Sequence, residues 1–523
     1  MNVACAVPDN LTSLFRPSSV AVVGASDSPL KISYSCVESL TVGGFAGRIY
    51  PVNPSTSEVR GLVAYPSIEE IPYKVDLAVI VVPADVVPAA LEGCARKGVV
   101  GAVIITAGFK EMGTESGTQL QRDLVGIAER TGIRFLGPNT VGLVSPYVGL
   151  NATFMPSFKD VSPGAVAVVC QSGGVCSFLL HTTINEHLGV SLALSLGNRA
   201  NLDFCDIIKY LDADPQTRAI ALHVEGVDSP LDLMEVAGDV AHRKPIVVYK
   251  PEGSFLDEAA YSHTGALAGS YQVFRAAFAQ AGIVLAEDTC ELLDVAKAMA
   301  FRAPPKGNRV AILSLQAGPG IIASSKCQRH GLLLADFSPG LRERLKEMAQ
   351  SPCFSRNPID LAGGFGQSAD GRRKWQEILR LVADDDTVDA IIVSAVHHTL
   401  DVPFVESVVS LARDEELTKP LIMCRDSPLG IGRGEIAKLE ENGVPVYPSV
   451  ERAVRALAGL ARYGHLMGGQ RVSLAPPSCP YHAMPGPEVL SQCCCRPHPF
   501  VSRRPLLSSP GFSTEVPILP SSR

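Results

Sequence analysis

The chain has 523 residues, enough for roughly three domains at about 150 residues each. Apolar residues make up 46% and charged residues 19%, so each domain can bury a core. The formal net charge of -7 speaks against a nucleic-acid partner, which favours basic surfaces. Met1 to Asn10 lacks the basic and apolar regions of a secretory signal. No uninterrupted apolar run approaches the roughly 18 residues of a membrane span. The 14 cysteines lack a paired zinc-type framework and read as reduced thiols of a cytoplasmic protein.

From Ser18 onward, short β-branched runs alternate with longer amphipathic stretches, the pattern of βαβ units in an α/β protein. The first block, 14–150, has strand candidates at Val20–Val23, Ile49–Val52, Leu77–Val82, Val103–Thr106 and Arg134–Leu136. Their continuous apolar character suits strands covered on both faces. Helices are expected at Val86–Lys97 and at Gln119–Thr131, where Leu120, Leu124 and Ile127 share a face. The second block, 151–303, repeats the pattern at Ala165–Val169, Val190–Leu194, Ala219–Val224, Ile246–Tyr249 and Ile283–Leu285. Pro304-Pro305-Lys306-Gly307 reads as a linker. The third block, 308–466, has strands near Val310–Leu313, Leu332–Ala335, Ala390–Val393, Leu421–Cys424 and Val444–Tyr447. It closes with a helix at Val450–Arg462. Residues 467–523 carry clustered prolines and Cys493-Cys494-Cys495 without helix or strand period, and read as a disordered tail.

Ligands of open parallel sheets bind beyond the carboxyl ends of the strands, so the turns there carry the functional argument. Val22-Val23-Gly24-Ala25-Ser26 through Lys31 runs strand, glycine turn, helix, and suits a phosphate-bearing nucleotide. It lacks the full G-x-G-x-x-G fingerprint. Asn53, before Pro54, stands where an NAD site usually has an acidic residue, which disfavours an NAD(P) oxidoreductase. Val82-Pro83, Ile105–Phe109 and Gly137-Pro138-Asn139 end the neighbouring strands and converge on the same crevice.

In the second block, Cys170-Gln171-Ser172-Gly173-Gly174 repeats strand, turn and helix. Ser172 is a candidate cap and the free N–H groups a candidate anion site. Glu225 ends an apolar strand, where a carboxylate needs a role or a partner. His263 lies in the small, glycine-flanked loop Ser262-His263-Thr264-Gly265. A carboxylate beside that imidazole would fix its tautomer.

These motifs, in this order, resemble the α-subunit or α-part of nucleoside-diphosphate-forming acyl-CoA synthetases, of which succinyl-CoA synthetase α-subunits are more distant relatives. The resemblance spans about 465 residues. It includes Ser195-Leu196-Gly197-Asn198 with Asp203, and Asn357-Pro358-Ile359-Asp360-Leu361. It implies a Rossmann-like CoA-binding domain followed by two flavodoxin-like ligase domains. It implies a reversible reaction of acyl-CoA, phosphate and ADP through an acyl phosphate and a phosphohistidine. His263 matches the phosphorylated histidine and Glu225 the carboxylate that orients it. Ser172, Gly173 and Gly174 match the phosphate turn. Gly24, Ser26, Lys31, Asn53, Pro54, Val82, Pro83 and Asn139 fall at the CoA site. ADP or ATP and Mg²⁺ would be bound by an ATP-grasp β-subunit. No metal ligand set is expected in this chain.

There are two departures from the family pattern. Leu315-Gln316-Ala317-Gly318-Pro319-Gly320 differs from the usual Asn/Gly-rich turn. The tail stands where fused members carry the ATP-grasp part; a truncated or out-of-frame ending is one hypothesis for it and an evolved element the other. The other reading, from a different class, is a non-catalytic CoA-responsive binding module; both Glu225 and His263 favour the enzyme.

Overall fold

The computed structural model describes residues 9–252, 271–348, 355–361, 369–396, 402–426 and 433–468. His263 and residues 469–523 of the tail therefore lie outside the described residues, while Met467 belongs to the last helix. The described cysteines are free thiols, and six of the eight are buried in the core. Burial pushes the thiols of Cys36, Cys94 and Cys327 up to about 12. No described helix is long and apolar enough to cross a membrane.

The first sheet contains β1 (Ser19–Val23), β2 (Arg48–Val52), β5 (Leu77–Ile80), β6 (Gly101–Ile104) and β7 (Arg134–Leu136). A two-stranded hairpin, β3 (Glu58–Val59) and β4 (Leu62–Val63), stands beside it. All five strands are parallel in the order β2-β1-β5-β6-β7. β1, β5 and β6 are buried along their whole length, because helices cover both faces. The helix Glu115–Thr131 starts earlier than its apolar stripe. Thr114 caps it by accepting from the Gly117 N–H, while Leu124 and Ile127 enter the core.

The second sheet is built from β8 (Gly142–Ser145), β9 (Leu150–Thr153), β10 (Pro163–Cys170), β11 (Val190–Ser195), β12 (Ala219–His223), β13 (Ile246–Tyr249) and β14 (Val284–Ala286). Its order is β14-β13-β12-β10-β11-β8-β9. Five strands are parallel; β8 and β9 are an antiparallel extension on β11. Gly142–Ser145, inside the stretch 14–150, and Leu150–Thr153, across its boundary, thus hydrogen-bond into the second sheet.

The third sheet has β15 (Arg309–Ser314), β16 (Leu333–Leu334), β17 (Ile359–Asp360), β18 (Ala390–Val396), β19 (Leu421–Asp426) and β20 (Val446–Tyr447). Its order is β16-β15-β18-β19-β20, with β17 paired to the far end of β15. Asn357 explains part of that arrangement. Its amide donates to the carbonyls of Val310 (2.7 Å) and Ala335 (3.1 Å) and accepts from the Ile312 N–H (3.0 Å). The Asn-Pro-Ile-Asp-Leu motif is therefore a structural stitch within this sheet.

The last helix, Val450–Met467, packs across the helix Thr289–Phe301 of the second domain. Arg452 joins them: it reaches Glu186 at 2.6 and 2.7 Å and the buried Asp294 at 2.6 and 2.9 Å. The Tyr447 hydroxyl donates to the Asp294 carbonyl at 2.8 Å. Lys297, also buried, pairs with Glu440. The second and third sheets share one core through these contacts.

Candidate functional site

In the first sheet the chain reverses its winding direction at β1, so β1 and β5 diverge into opposite connections and leave a crevice at their carboxyl ends. In the second sheet the same reversal occurs at β10 and β12. The turns after these strands are the ones singled out in the sequence. A cleft of about 910 Å³ runs between the two sets of strand ends. That volume lies in the range of pockets that enclose organic ligands and cofactors.

The first domain contributes Lys31, Val81, Val82, Thr106, Lys110, Glu111 and Asn139 to the cleft walls. Lys31 is exposed and stands at the N-cap of the helix Ile32–Val42. Asn139 adopts φ +60° and donates to the Asn198 amide oxygen at 3.3 Å. Gly24, Ser26, Asn53, Pro54 and Pro83 lie outside the cleft lining. Gly24 has φ +95°, and a Cβ there would sit 2.7 Å from Val82 Cγ1 and 2.8 Å from the Val81 carbonyl. Only glycine lets β1 turn so close to the end of β5. Asn53 holds that turn: its amide donates to the Ala25 carbonyl at 2.7 Å and its oxygen accepts from the Ser55 N–H. Ser26 accepts from the Ser28 N–H at 3.2 Å. Pro83 and Pro54 are exposed at the ends of their strands. Gly24, Ser26 and Asn53 thus shape the crevice from behind.

The second domain supplies Gln171, Ser172, Gly173, Gly174, Gly197, Asn198, Arg199, Glu225 and Asp228. Ser172 is the N-cap of the helix Gly173–Asn185, accepting from the Val175 N–H at 3.4 Å. The first-turn N–H groups of such a helix have no intrahelical acceptor, and its dipole favours an anion. Gln171 is the organiser of this end. Its N–H donates to the His223 carbonyl at 3.0 Å, and its side-chain oxygen accepts from the N–H groups of Glu225 (2.9 Å) and Gly226 (3.0 Å). Lys250 is buried behind the turn and donates to the Glu225 carbonyl at 2.8 Å. The half-buried Glu225 is therefore fixed by its backbone at the mouth of the cleft.

Arg199 and Glu111 were not anticipated, and Gly197 and Asn198 were named only as parts of a motif. Arg199 adopts φ +54°, has a side chain only 4% exposed, and pairs with Asp228 at 3.1 Å. Asn198 donates to Glu111 and, at 3.0 Å, to Gln121, both in the first domain. Burial pushes the Glu111 carboxyl up. The Asn198 amide and the N–H groups of Gly108 and Phe109 outweigh it and hold the group below the usual carboxylate range. Gly197 is required beside it, because a Cβ there would lie 2.4 Å from the Pro138 and Asn139 carbonyls. Asp203 caps the helix Phe204–Ala213. The Ser-Leu-Gly-Asn motif thus joins the two domains that form the cleft through Asn198, while Asp203 starts the helix that follows. Among the described residues no cluster of three or more histidines, cysteines or carboxylates could hold a metal ion.

Comparison with known proteins agrees with this geometry. A CoA binding domain family matches residues 18–146, and a succinyl-CoA ligase like flavodoxin domain family matches 163–299. The chain is 39% identical to the acetate–CoA ligase (ADP-forming) I subunit alpha of Pyrococcus furiosus, covering 87% of this chain and 98% of that one. It is 38% identical to the acetate–CoA ligase (ADP-forming) I of Archaeoglobus fulgidus over 88% of this chain, and spans 64% of that relative's length. Its fold is similar to that of a dinucleotide forming acetyl-coenzyme A synthetase 1 from Ca. Korarchaeum cryptofilum, in complex with phosphate and ADP. That likeness has a TM-score of 0.77 at 33% identity, covering 88% of this chain and 97% of the other. The chain therefore belongs to the ADP-forming acetate–CoA ligase family, as a chain of the α-subunit kind.

Proposed function

We propose that this chain carries out the CoA and phosphohistidine half of a reversible ADP-forming acyl-CoA ligase reaction. A separate ATP-grasp β-subunit would complete the reaction with ADP and Mg²⁺. The observation that carries this reading is the cleft in which Lys31 and the end of the β5 segment line one wall and the Ser172–Gly174 turn and Glu225 the other. The first wall suits CoA, with its thioester directed to the second. The second wall suits phosphate, held by first-turn N–H groups.

Phosphate oxygen attacks the thioester carbonyl. The C–S bond breaks, CoA leaves as the thiol after taking a proton, and an acyl phosphate forms. An imidazole nitrogen of His263 then attacks phosphorus. The P–O bond to the acyl group breaks and the free acid departs as carboxylate. Glu225 would accept a hydrogen bond from the other ring nitrogen, so that the attacking nitrogen is unprotonated and the phosphorylated ring's positive charge is balanced. Phosphoryl transfer of this kind needs chiefly alignment and charge stabilisation. The rigid backbone around Gln171 and Lys250 supports the alignment. Asn53 gives no support to a dinucleotide reading, since its amide is engaged by the Ala25 carbonyl.

The test is a phosphoenzyme assay on the chain co-expressed with an ATP-grasp β-subunit. Acid-labile phosphate is expected on His263 with ATP and Mg²⁺, and its persistence in His263→Asn would overturn the proposal.

A further inference from the structure

An acyl group that is to be transferred to phosphate must sit beside the Ser172–Gly174 turn. Its thioester carbonyl has to come within about 3–3.5 Å of a phosphate oxygen held there. The carbon chain beyond that carbonyl therefore rests on whatever borders the turn. Among the described residues that line the second wall of the cleft, Val141 and Phe154 are the apolar side chains; the others are glycine, polar or charged. The remaining apolar lining, such as Ile32, Val82 and Ile105, belongs to the first domain, on the wall that suits CoA.

Both residues are placed by the antiparallel extension of the second sheet. The β8–β9 ladder ends with Gly142 opposite Thr153, and Val141 and Phe154 are the next residues beyond that pair. Val141 borders the phosphate turn: a Cβ on Gly173 would lie 3.5 Å from the Val141 nitrogen and 3.6 Å from its Cβ. Phe154 is half-buried and packs against two hydrophobic cores, one shared by the first and second sheets and one by the second and third. Its backbone is pinned on both sides. The Thr153 hydroxyl donates to the Asn151 side chain at 2.7 Å and accepts from the Met155 N–H at 3.0 Å. The Asn151 amide in turn donates to the Met155 carbonyl at 3.0 Å. Next to Val141, the Thr140 hydroxyl accepts from the Gly142 N–H at 3.0 Å. A ring held between two packed cores on a pinned backbone is a fixed wall.

We propose that Phe154, backed by Val141, determines the size of acyl group this cleft accepts. Its ring bounds the space beside the phosphate turn, so a short aliphatic acyl group fits there and an arylacetyl group meets the ring. The inference rests on the proposed reading of the cleft, in that acyl-CoA lies along the first wall with its thioester at the turn. It does not depend on transfer to His263.

The experiment is calorimetric binding of free CoA, acetyl-CoA and phenylacetyl-CoA to the chain in complex with a β-subunit, with phosphate and nucleotide left out so that no bond is broken. It compares wild type with Phe154→Leu and Phe154→Ala. Wild type should bind acetyl-CoA more tightly than phenylacetyl-CoA. Freed space of one or more methylenes changes discrimination in an apolar pocket about tenfold or more. Phe154→Ala should therefore shift the ratio of the two dissociation constants by about that factor toward phenylacetyl-CoA. Phe154→Leu, which keeps an apolar group against both cores, should shift it the same way by less, and it carries the test if loss of the whole side chain unfolds the protein. Free CoA should bind alike to all three proteins. A ratio unchanged in the variants, or moved toward acetyl-CoA, would overturn the inference, as would phenylacetyl-CoA bound by wild type as tightly as acetyl-CoA. A purely structural Phe154 would weaken free CoA and both thioesters together and leave the ratio where it was. If the ratio shifts as expected while His263→Asn still forms phosphoenzyme, the proposed transfer falls and the acyl wall stands. Failure of wild type to bind free CoA would remove the cleft reading and this inference with it.

Discussion

The Gln171 side-chain oxygen accepts two hydrogen bonds, from the N–H groups of Glu225 and of the glycine that follows it. One amide in the turn after β10 thus sets where the backbone of the carboxylate residue after β12 stands. Gln171→Leu keeps the size of the side chain but leaves both N–H groups unpaired. Small misplacements of a positioned group cost about tenfold to a hundredfold in rate. We therefore expect Gln171→Leu to lower kcat by about that factor, with KM for acyl-CoA little changed. Gln171→Glu, which keeps an acceptor, should recover part of the loss. Steady-state kinetics of the complex with a β-subunit would check this.

The joint between the first two domains rests on Asn198, which donates to both Glu111 and Gln121. Asn198→Ala removes these bonds from the floor of the cleft without touching the phosphate turn. Each buried hydrogen bond lost with an unsatisfied partner costs about 1–3 kcal/mol. A lower melting temperature is expected, together with a raised KM for acyl-CoA and a smaller change in kcat. An unchanged KM would show that the joint does not shape the cleft.

Acid sensitivity should have one identifiable source in His223. The residue is 1% exposed. Burial, with help from the positive charge of Lys250, lowers its pKa to about 4. The unfolded chain takes up the proton near the ordinary value of about 6.5, and the folded chain does not until about pH 4. Between those limits the unfolded state binds more protons, so stability falls as pH falls. In His223→Gln this contribution is absent. Melting temperatures of the two proteins, compared from pH 7 down to pH 4, should show a shallower decline in the variant. Parallel declines would contradict the assignment.

Arg452 holds the second and third domains together through Glu186 and Asp294. Burial pushes the Asp294 carboxyl up, and Arg452 opposes that rise. Arg452→Met would take from Asp294, only 2% exposed, its close partner and leave it Arg455 at 3.9 Å. Breaking such a pair costs about 3–5 kcal/mol. Chemical denaturation should register a loss of that order. Adding Asp294→Asn to the same chain should restore much of it, since a neutral amide needs no counter-charge.

Most strands were legible because burial on both faces forces an unbroken apolar run, as in Val20–Val23 and Ala219–Leu222. Their carboxyl ends then located the cleft, and Lys31, Val82, Asn139, Ser172, Gly173, Gly174 and Glu225 all line it. β8 and β9 were not read. Buried Ser145, Asn151 and Thr153 break the apolar pattern; Thr153 donates to the Asn151 side chain, which donates to the Met155 carbonyl. Arg199 and Glu111 show the same limit: their contacts join segments far apart in the chain, so no local spacing marks them. Asn198 was marked as part of the Ser-Leu-Gly-Asn motif, but not its bonds to the first domain. Gly24 and Asn53 were recognised as parts of the nucleotide-type turn. Their observed contacts are with the backbone of that turn and with β5.

The central claim is that one cleft brings acyl-CoA, phosphate and the Glu225 region together for transfer to His263. The most direct measurement uses the chain in complex with an ATP-grasp β-subunit, acetyl-CoA and labelled inorganic phosphate, with no nucleotide present. The account predicts that label enters the chain on His263 and that CoA thiol is released. Glu225→Gln should slow labelling about a hundredfold or more, the scale of a lost acid–base partner. Label that enters His263→Asn as fast as wild type would contradict the account, as would CoA release from acetyl-CoA and phosphate with none of the label on protein.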